Sequence, residues 1–316
     1  NLKNLKVNKI ILNRNSLDIE IDRSKELLKY FKTIKSKLEI QNLDITFKKK
    51  NKSIIEINKI NFSNHGFHKN RINGEIFDKK FEANLDDQYK NLSFVILNTG
   101  IKANFKFDNI KKTSSTSGTT KINVLDNYLK LNFLINDNKL NIIKSNLRNK
   151  YFTLSFDSLI KLNPYFEINS DIFINKIDSE FIYNLKLENI LKNKEIFKKL
   201  NSNNKIKFKK KIFWNDLIES HFSEFNLAYG RLDYSSEILF VGGKVNCYGD
   251  TLLTEEYPRL FFNCIFNIKN NKEFLKKFSI SKKLVQNSVS FNIEGSLNLL
   301  NEKVNFKRIN FNTNYT

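Results

Sequence analysis

Between Arg71 and Asp108 the chain alternates apolar and polar residues with a period of two, in four consecutive runs. Ile72, Gly74 and Ile76 alternate with Asn73 and Glu75, and Phe81, Ala83 and Leu85 with Glu82, Asn84 and Asp86. Leu92, Phe94 and Ile96 follow, then Ile101, Ala103, Phe105 and Phe107 against Lys102, Asn104, Lys106 and Asp108. A strand puts residues i and i+2 on one face, so each run has one apolar and one polar side. Short polar connections between such runs predict an antiparallel meander with one apolar face. Whatever covers that face decides what the chain can do.

The same texture continues on both sides. Leu5–Leu12, Leu17–Ile21, Leu38–Phe47 and Ser53–Phe62 read as strands before it. Ser24 can cap a short helix whose stripe is Leu27, Leu28, Phe31 and Ile34. Thr113–Thr120, TSSTSGTT, reads as a small polar loop. Strands resume at Lys121–Val124, at Tyr128–Ile135 with Leu129, Leu131, Phe133 and Ile135 on one side, and at Lys139–Leu147. Tyr151–Ile160, with Phe152, Leu154 and Phe156 inward, and Phe166–Ile174 come next. Ser179–Leu200 changes to a helical period. Beyond it lie strands Lys205–Trp214 and Ser220–Tyr229, a long hairpin over Glu237–Ile268, and a short helix at Asn271–Phe278. Val289–Leu299 and Lys303–Phe311 form a last pair.

The expected fold is therefore mainly β: a long antiparallel meander curled into an elongated groove or sandwich, with a few short helices. Fifteen or more strands about 4.8 Å apart are too many for one flat open sheet. The helical stretch suggests a β region over 1–177, a connector over 178–204 and a second β region over 205–316, which can be continuous with the first.

Lys and Arg outnumber Asp and Glu by 54 to 33, a formal charge of +21. Such a balance raises nucleic acid as a partner. Lys, Asn, Ile and Phe are in excess together, however, and the lysines are spread along the polar sides of strands, so no nucleic-acid footprint is expected. No run approaches the ~20 apolar residues of a membrane helix. The absence of Met, with Asn at position 1, predicts a segment of a longer chain or a processed product.

Few residues suggest chemistry. His65 and His68, in NHGFH, are two ligands where a metal site needs more, and read as a solvated turn. His221 has no triad or metal spacing around it and reads as strand-edge decoration. Gly242–Gly243 lack the frame of a phosphate loop and read as a bulge or close crossing. Asp18, Glu20 and Asp22 lie on the polar face of a strand, and Trp214 reads as a packing anchor or a membrane-facing end. No nucleophile, base and oxyanion donor assemble, and no cofactor motif is present. Cys247 and Cys264 are set opposite each other by a turn at Glu255–Glu256, which allows a cross-strand disulfide or two free buried thiols.

INGEIFDKKFEANL followed by LSFVILNTGIKANFKF resembles the repeating unit of AsmA-family proteins. SVSFNIEGSLNLLNEKVNFKRINF, and in texture SEFNLAYGRLDYSSEILFVGGKVNCYGD, are similar to it too. The resemblance implies an envelope protein of a Gram-negative bacterium, anchored in the inner membrane by an N-terminal helix absent from this stretch. Its bulk would lie in the periplasm as a curled sheet. It further implies a non-enzymatic role in phospholipid movement or outer-membrane assembly, with no catalytic residues and no cofactor.

On this expectation the acyl-facing surface comprises Ile72, Ile76, Phe81, Leu85, Phe94, Ile96, Ile101, Phe105 and Phe107. It continues over Leu129, Leu131, Phe133, Ile135, Phe152, Leu154 and Phe156, and over Phe262, Phe266, Phe291, Ile293 and Leu297. Expected partners are phospholipid acyl chains, a membrane and other envelope proteins. The alternatives are an assembly factor that binds outer-membrane proteins through sheet edges, then a basic nucleic-acid binder, then an enzyme with a polar pocket.

Overall fold

The computed structural model describes residues 7–20, 36–49, 52–88, 90–108, 115–136, 139–161, 166–178, 180, 191, 197–198, 200–209, 217–277 and 288–312. Their strands, twenty in number, belong to one mixed sheet that is not closed. Contacts divide the chain into residues 1–130 and 131–316.

In the first unit β1 (Lys9–Asn13) and β2 (Ser16–Glu20) run parallel to β3 (Lys37–Lys49). Lys9 pairs with Lys37 and Ser16 with Asp44, the same offset, so β1 and β2 are one edge strand interrupted at Arg14–Asn15. The meander then runs antiparallel through β4 (Lys52–Ser63), β5 (Arg71–Ile76), β6 (Lys79–Leu85), β7 (Asn91–Ile96), β8 (Ile101–Phe107) and β9 (Ser115–Val124). Phe77 and Asp78, both at positive φ, form the two-residue β5–β6 turn that matches strand twist.

The stretch read as a loop at Thr113–Thr120 is, from Ser115 onward, the start of β9; Thr113 and Ser114 lie outside the described residues. Its Gly118 and Thr120 pair with Phe107 and Phe105. Small inward residues opposite two rings make a strand that hydropathy alone does not reveal, and β-branched Thr suits it.

β10 (Asn127–Asn136) straddles the division, and β11 (Lys139–Arg148), β12 (Phe152–Lys161) and β13 (Glu167–Ile177) follow. Next come β14 (Asn201–Lys209), β15 (Ile218–Ala228), β16 (Arg231–Phe240), β17 (Gly243–Leu252), β18 (Arg259–Ile268), α1 (Asn271–Lys277), β19 (Val289–Asn298) and β20 (Val304–Asn312). The expected hairpin over Glu237–Ile268 is instead parts of three strands. Gly242, at φ 86, makes a two-residue turn between β16 and β17, where Phe240 pairs with Gly243. The expected bulge or crossing at this glycine pair is thereby corrected. A Cβ on Gly242 would meet Asn270 O at 2.6 Å.

The meander is not wholly antiparallel. β13 and β14 are parallel, like β1 and β2 with β3. Parallel neighbours need a crossover of a dozen or more residues. The two crossovers, residues 21–36 and 178–200, are where a helical period was read. Most of both segments, including the helix expected after Ser24, lies outside the described residues, as do Trp214 and Phe278. Because β13 pairs with β14, the 178–204 connector does not interrupt the sheet.

Three strand irregularities share one device. Asn42, Lys59 and Lys144 adopt positive φ at register shifts. Their N–H groups donate to side chains on the adjacent strand: Asn61 Oδ1 at 3.1 Å, Asp44 Oδ1 at 2.8 Å and Asp157 Oδ1 at 2.5 Å. Each bulged amide thus keeps a partner that the ladder no longer supplies.

Candidate functional site: the apolar face

In the first unit, register places the expected residues on one face. Ile72 pairs with Ala83, Phe81 with Ile96, Leu85 with Leu92, Phe94 with Ala103 and Ile96 with Ile101. Phe105 and Phe107 follow over β9, and Ile76 pairs with Ile57 of β4. The face continues over Phe62, Ile40 and Leu12. Among the described residues, no charged side chain shares it from Ile72 to Ile122 except Lys79 beside the β5–β6 turn. Leu38, Ile40, Leu43 and Ile60 are its buried end, whereas Phe94, Ile96, Ile101, Phe105 and Phe107 are only half-buried.

Rings lie along this surface where a glycine faces them. The Phe81 ring covers Gly74, where a Cβ would come within 2.9 Å of Cε1. Phe105 and Phe107 lie parallel with centroids 6.3 Å apart.

In the second unit Phe152, Leu154 and Phe156 pair with Ile177, Ile174 and Ile172. Phe262, Phe266, Phe291, Ile293 and Leu297 share the same face, through Phe262–Gly295, Phe266–Phe291, Cys264–Ile293 and Leu260–Leu297. Phe266 and Phe291 stack at 4.7 Å, and Phe311 of β20 lies 5.6 Å from Phe291. Leu131, Phe133 and Ile135 alternate on β10 and are half-buried. Leu129, before the division at 130, has the same parity and is also half-buried.

The protein covers both ends of this second face. Leu191 and Phe197 from the crossover pack with Leu227, Leu253, Leu299 and Leu232 at one end. Phe274 of α1 packs on Phe240, centroids 5.4 Å apart, with Val245 and Ile268 at the other. Between them runs a half-buried band: Phe225 and Tyr234 stacked at 6.3 Å, Phe262, Cys247 and Cys264. Burial holds the Tyr234 hydroxyl above the usual tyrosine range.

That band contains a polar island. His221 is not an edge decoration: it sits in β15, half-buried on the inward face, with Nε2 2.6 Å from Ser223 Oγ and 3.0 Å from Ser236 Oγ. Ser223 Oγ donates to Ser236 Oγ at 2.8 Å. Ser236 pairs with Cys247, which is disulfide-bonded to Cys264 at a Cα–Cα distance of 4.1 Å. So close a Cα spacing belongs to a non-hydrogen-bonded antiparallel pair. Desolvation holds the imidazole below its ordinary pKa, so the neutral ring is favoured. Alternation alone could not find this island, because its members meet only across strands.

The opposite, polar face of β11–β14 carries a cleft of about 700 Å³ lined by residues including Asn141, Lys144, Asp157, Asp171, Asn203 and Lys205. Asp157 and Asp171 are directly opposed, and Asp157 serves the Lys144 bulge. Among the described residues no group of three or more His, Cys, Asp or Glu is placed to hold a metal ion. His65 Nδ1 lies 3.2 Å from Ser63 Oγ, which donates to the His65 carbonyl at 2.8 Å, in the turn that also contains exposed His68.

No known protein family, curated protein or solved structure matches the chain.

Proposed function

We propose that this is a non-enzymatic, AsmA-like envelope protein whose apolar sheet face binds phospholipid acyl chains and passes them between membranes in support of the outer membrane. One observation carries the reading: a half-buried, almost uncharged face held in register from β5 to β9, with Phe94, Phe105 and Phe107 at its centre. An acyl chain gains ~0.8 kcal/mol per buried CH₂, so such a surface holds a chain without a specific polar contact. The Cys247–Cys264 disulfide supports an oxidising compartment such as the periplasm. No helix among the described residues is long and apolar enough to cross a membrane. Inner-membrane anchoring is therefore part of the proposal only through the AsmA resemblance.

The test is equilibrium binding of a fluorescent phospholipid to the protein and to Phe105→Lys/Phe107→Lys. The reading expects saturable binding that the variant loses while keeping its circular dichroism. Absence of binding by the folded protein contradicts it.

A second reading, an assembly factor acting through sheet edges, is favoured by β20. Its Val304, Phe306, Ile309 and Phe311 are 50–65% exposed, and among the described residues it pairs only with β19. An exposed edge strand is a template for another strand. That reading expects capture of an extended outer-membrane-protein peptide and its loss in Ile309→Pro.

A further inference from the structure

We infer that the polar face of β8 and β9 is a docking surface for an anionic lipid bilayer, through Lys102, Lys106 and Lys121. The inference rests on how unevenly charge is compensated across the polar face of the first unit. Toward β1–β6, four cations are ion-paired: Lys9 with Glu39 at 2.7 Å, Lys48 with Asp18, Lys59 with Glu75 at 2.9 Å and Arg71 with Glu82 at 2.9 Å. On β8 and β9 the matching stops. Lys102 lies between Val95 and Asn123, Lys106 between Asn91 and Thr119, and Lys121 beside Asn104. All three are exposed. The carboxylate next along β8, Asp108, accepts a hydrogen bond from Ser117 Oγ at 2.7 Å.

Strand geometry sets the spacing. Lys102 and Lys106 are about 13 Å apart along β8, and Lys121 lies about 8 Å from each. That is close to the Debye length at physiological salt, so the three charges act together on a facing surface. Among the described residues of β8 and β9 the patch contains no arginine to grip a phosphate bidentately. Diffuse negative charge suits it, as a bilayer of anionic headgroups presents. Phe105 and Phe107 leave the same strand on the other side, so this surface is separate from the proposed acyl face and does not depend on it.

The experiment is cosedimentation of the whole chain with phosphatidylcholine vesicles, with and without phosphatidylglycerol. The protein is compared with Lys102→Gln/Lys106→Gln/Lys121→Gln and with Lys9→Gln/Lys48→Gln/Lys59→Gln, which loses the same charge from ion-paired positions. The inference predicts binding only when phosphatidylglycerol is present, and an affinity about a hundredfold lower in the first variant. The second variant should lose less than about tenfold. Equal losses would trace binding to net charge and overturn the inference, as would indifference to phosphatidylglycerol. Tighter, patch-dependent binding to a single-stranded oligonucleotide than to vesicles would overturn it in favour of nucleic acid.

Discussion

The ring of Phe262 lies over Gly295 on the neighbouring strand, so close that a Cβ at residue 295 would sit 2.6 Å from Cζ. The same Cβ would meet Asn305 O at 2.5 Å, so neither the ring nor β20 leaves room for a methyl group. Gly295→Ala should therefore destabilise the second unit by roughly 1–3 kcal/mol, the usual range for overpacking. Urea unfolding measures this directly, and an unchanged midpoint would mean the ring does not rest on the glycine.

Cys247 and Cys264 close a loop with a sequence separation of 17. Constraining a loop of that length in the unfolded chain contributes about 3 kcal/mol. Reductant, or Cys247→Ser/Cys264→Ser, should lower the urea midpoint accordingly. A midpoint insensitive to both would show that the bond does not form in solution.

His221 gives stability a pH dependence of definite sign. Its folded pKa lies below the ordinary 6.5, because burial disfavours the cation. The unfolded chain therefore binds the proton first as pH falls. The contribution is full above pH 6.5 and is lost progressively as pH falls from there through the folded pKa. The carboxylates of Glu39, hydrogen-bonded by Lys9, and Glu167, hydrogen-bonded by Asn169, are depressed below 4.5 and act only in a more acidic window. Unfolding free energy measured between pH 7.5 and 5 should fall for the protein and stay flatter for His221→Gln. Parallel curves would contradict the assignment.

Parity on β9 can be read by paired substitution. Thr120 is 2% exposed opposite Phe105, whereas Thr119 faces the polar side beside Lys106. Thr120→Lys should destabilise the first unit by roughly 2–4 kcal/mol, since it buries an unpaired charge, and Thr119→Lys by less than about 0.5. Equal effects would restore the loop reading of this stretch.

Much of the architecture was legible because alternation settles which side of a strand each residue takes. Phe81, Phe94, Phe105 and Phe156 all fall where parity puts them. Parity says nothing about the direction of a neighbouring strand, so the parallel pairing of β13 with β14 was missed although the helical period beside it was visible. Ser223 and Ser236 carry no signal in the sequence, because only cross-strand register brings both to His221. The Thr-rich start of β9 was hidden for a related reason, since its inward residues are small and polar only because Phe105 and Phe107 fill the space above them.

The most direct measurement is lipid extraction and mass spectrometry on the protein purified from membranes, beside the variant Phe105→Lys/Phe133→Lys. The account predicts phospholipid carried by the protein and lost from a variant that remains folded. A well-folded protein that carries no lipid would contradict it, and would leave the apolar face as a core closed by the chain itself.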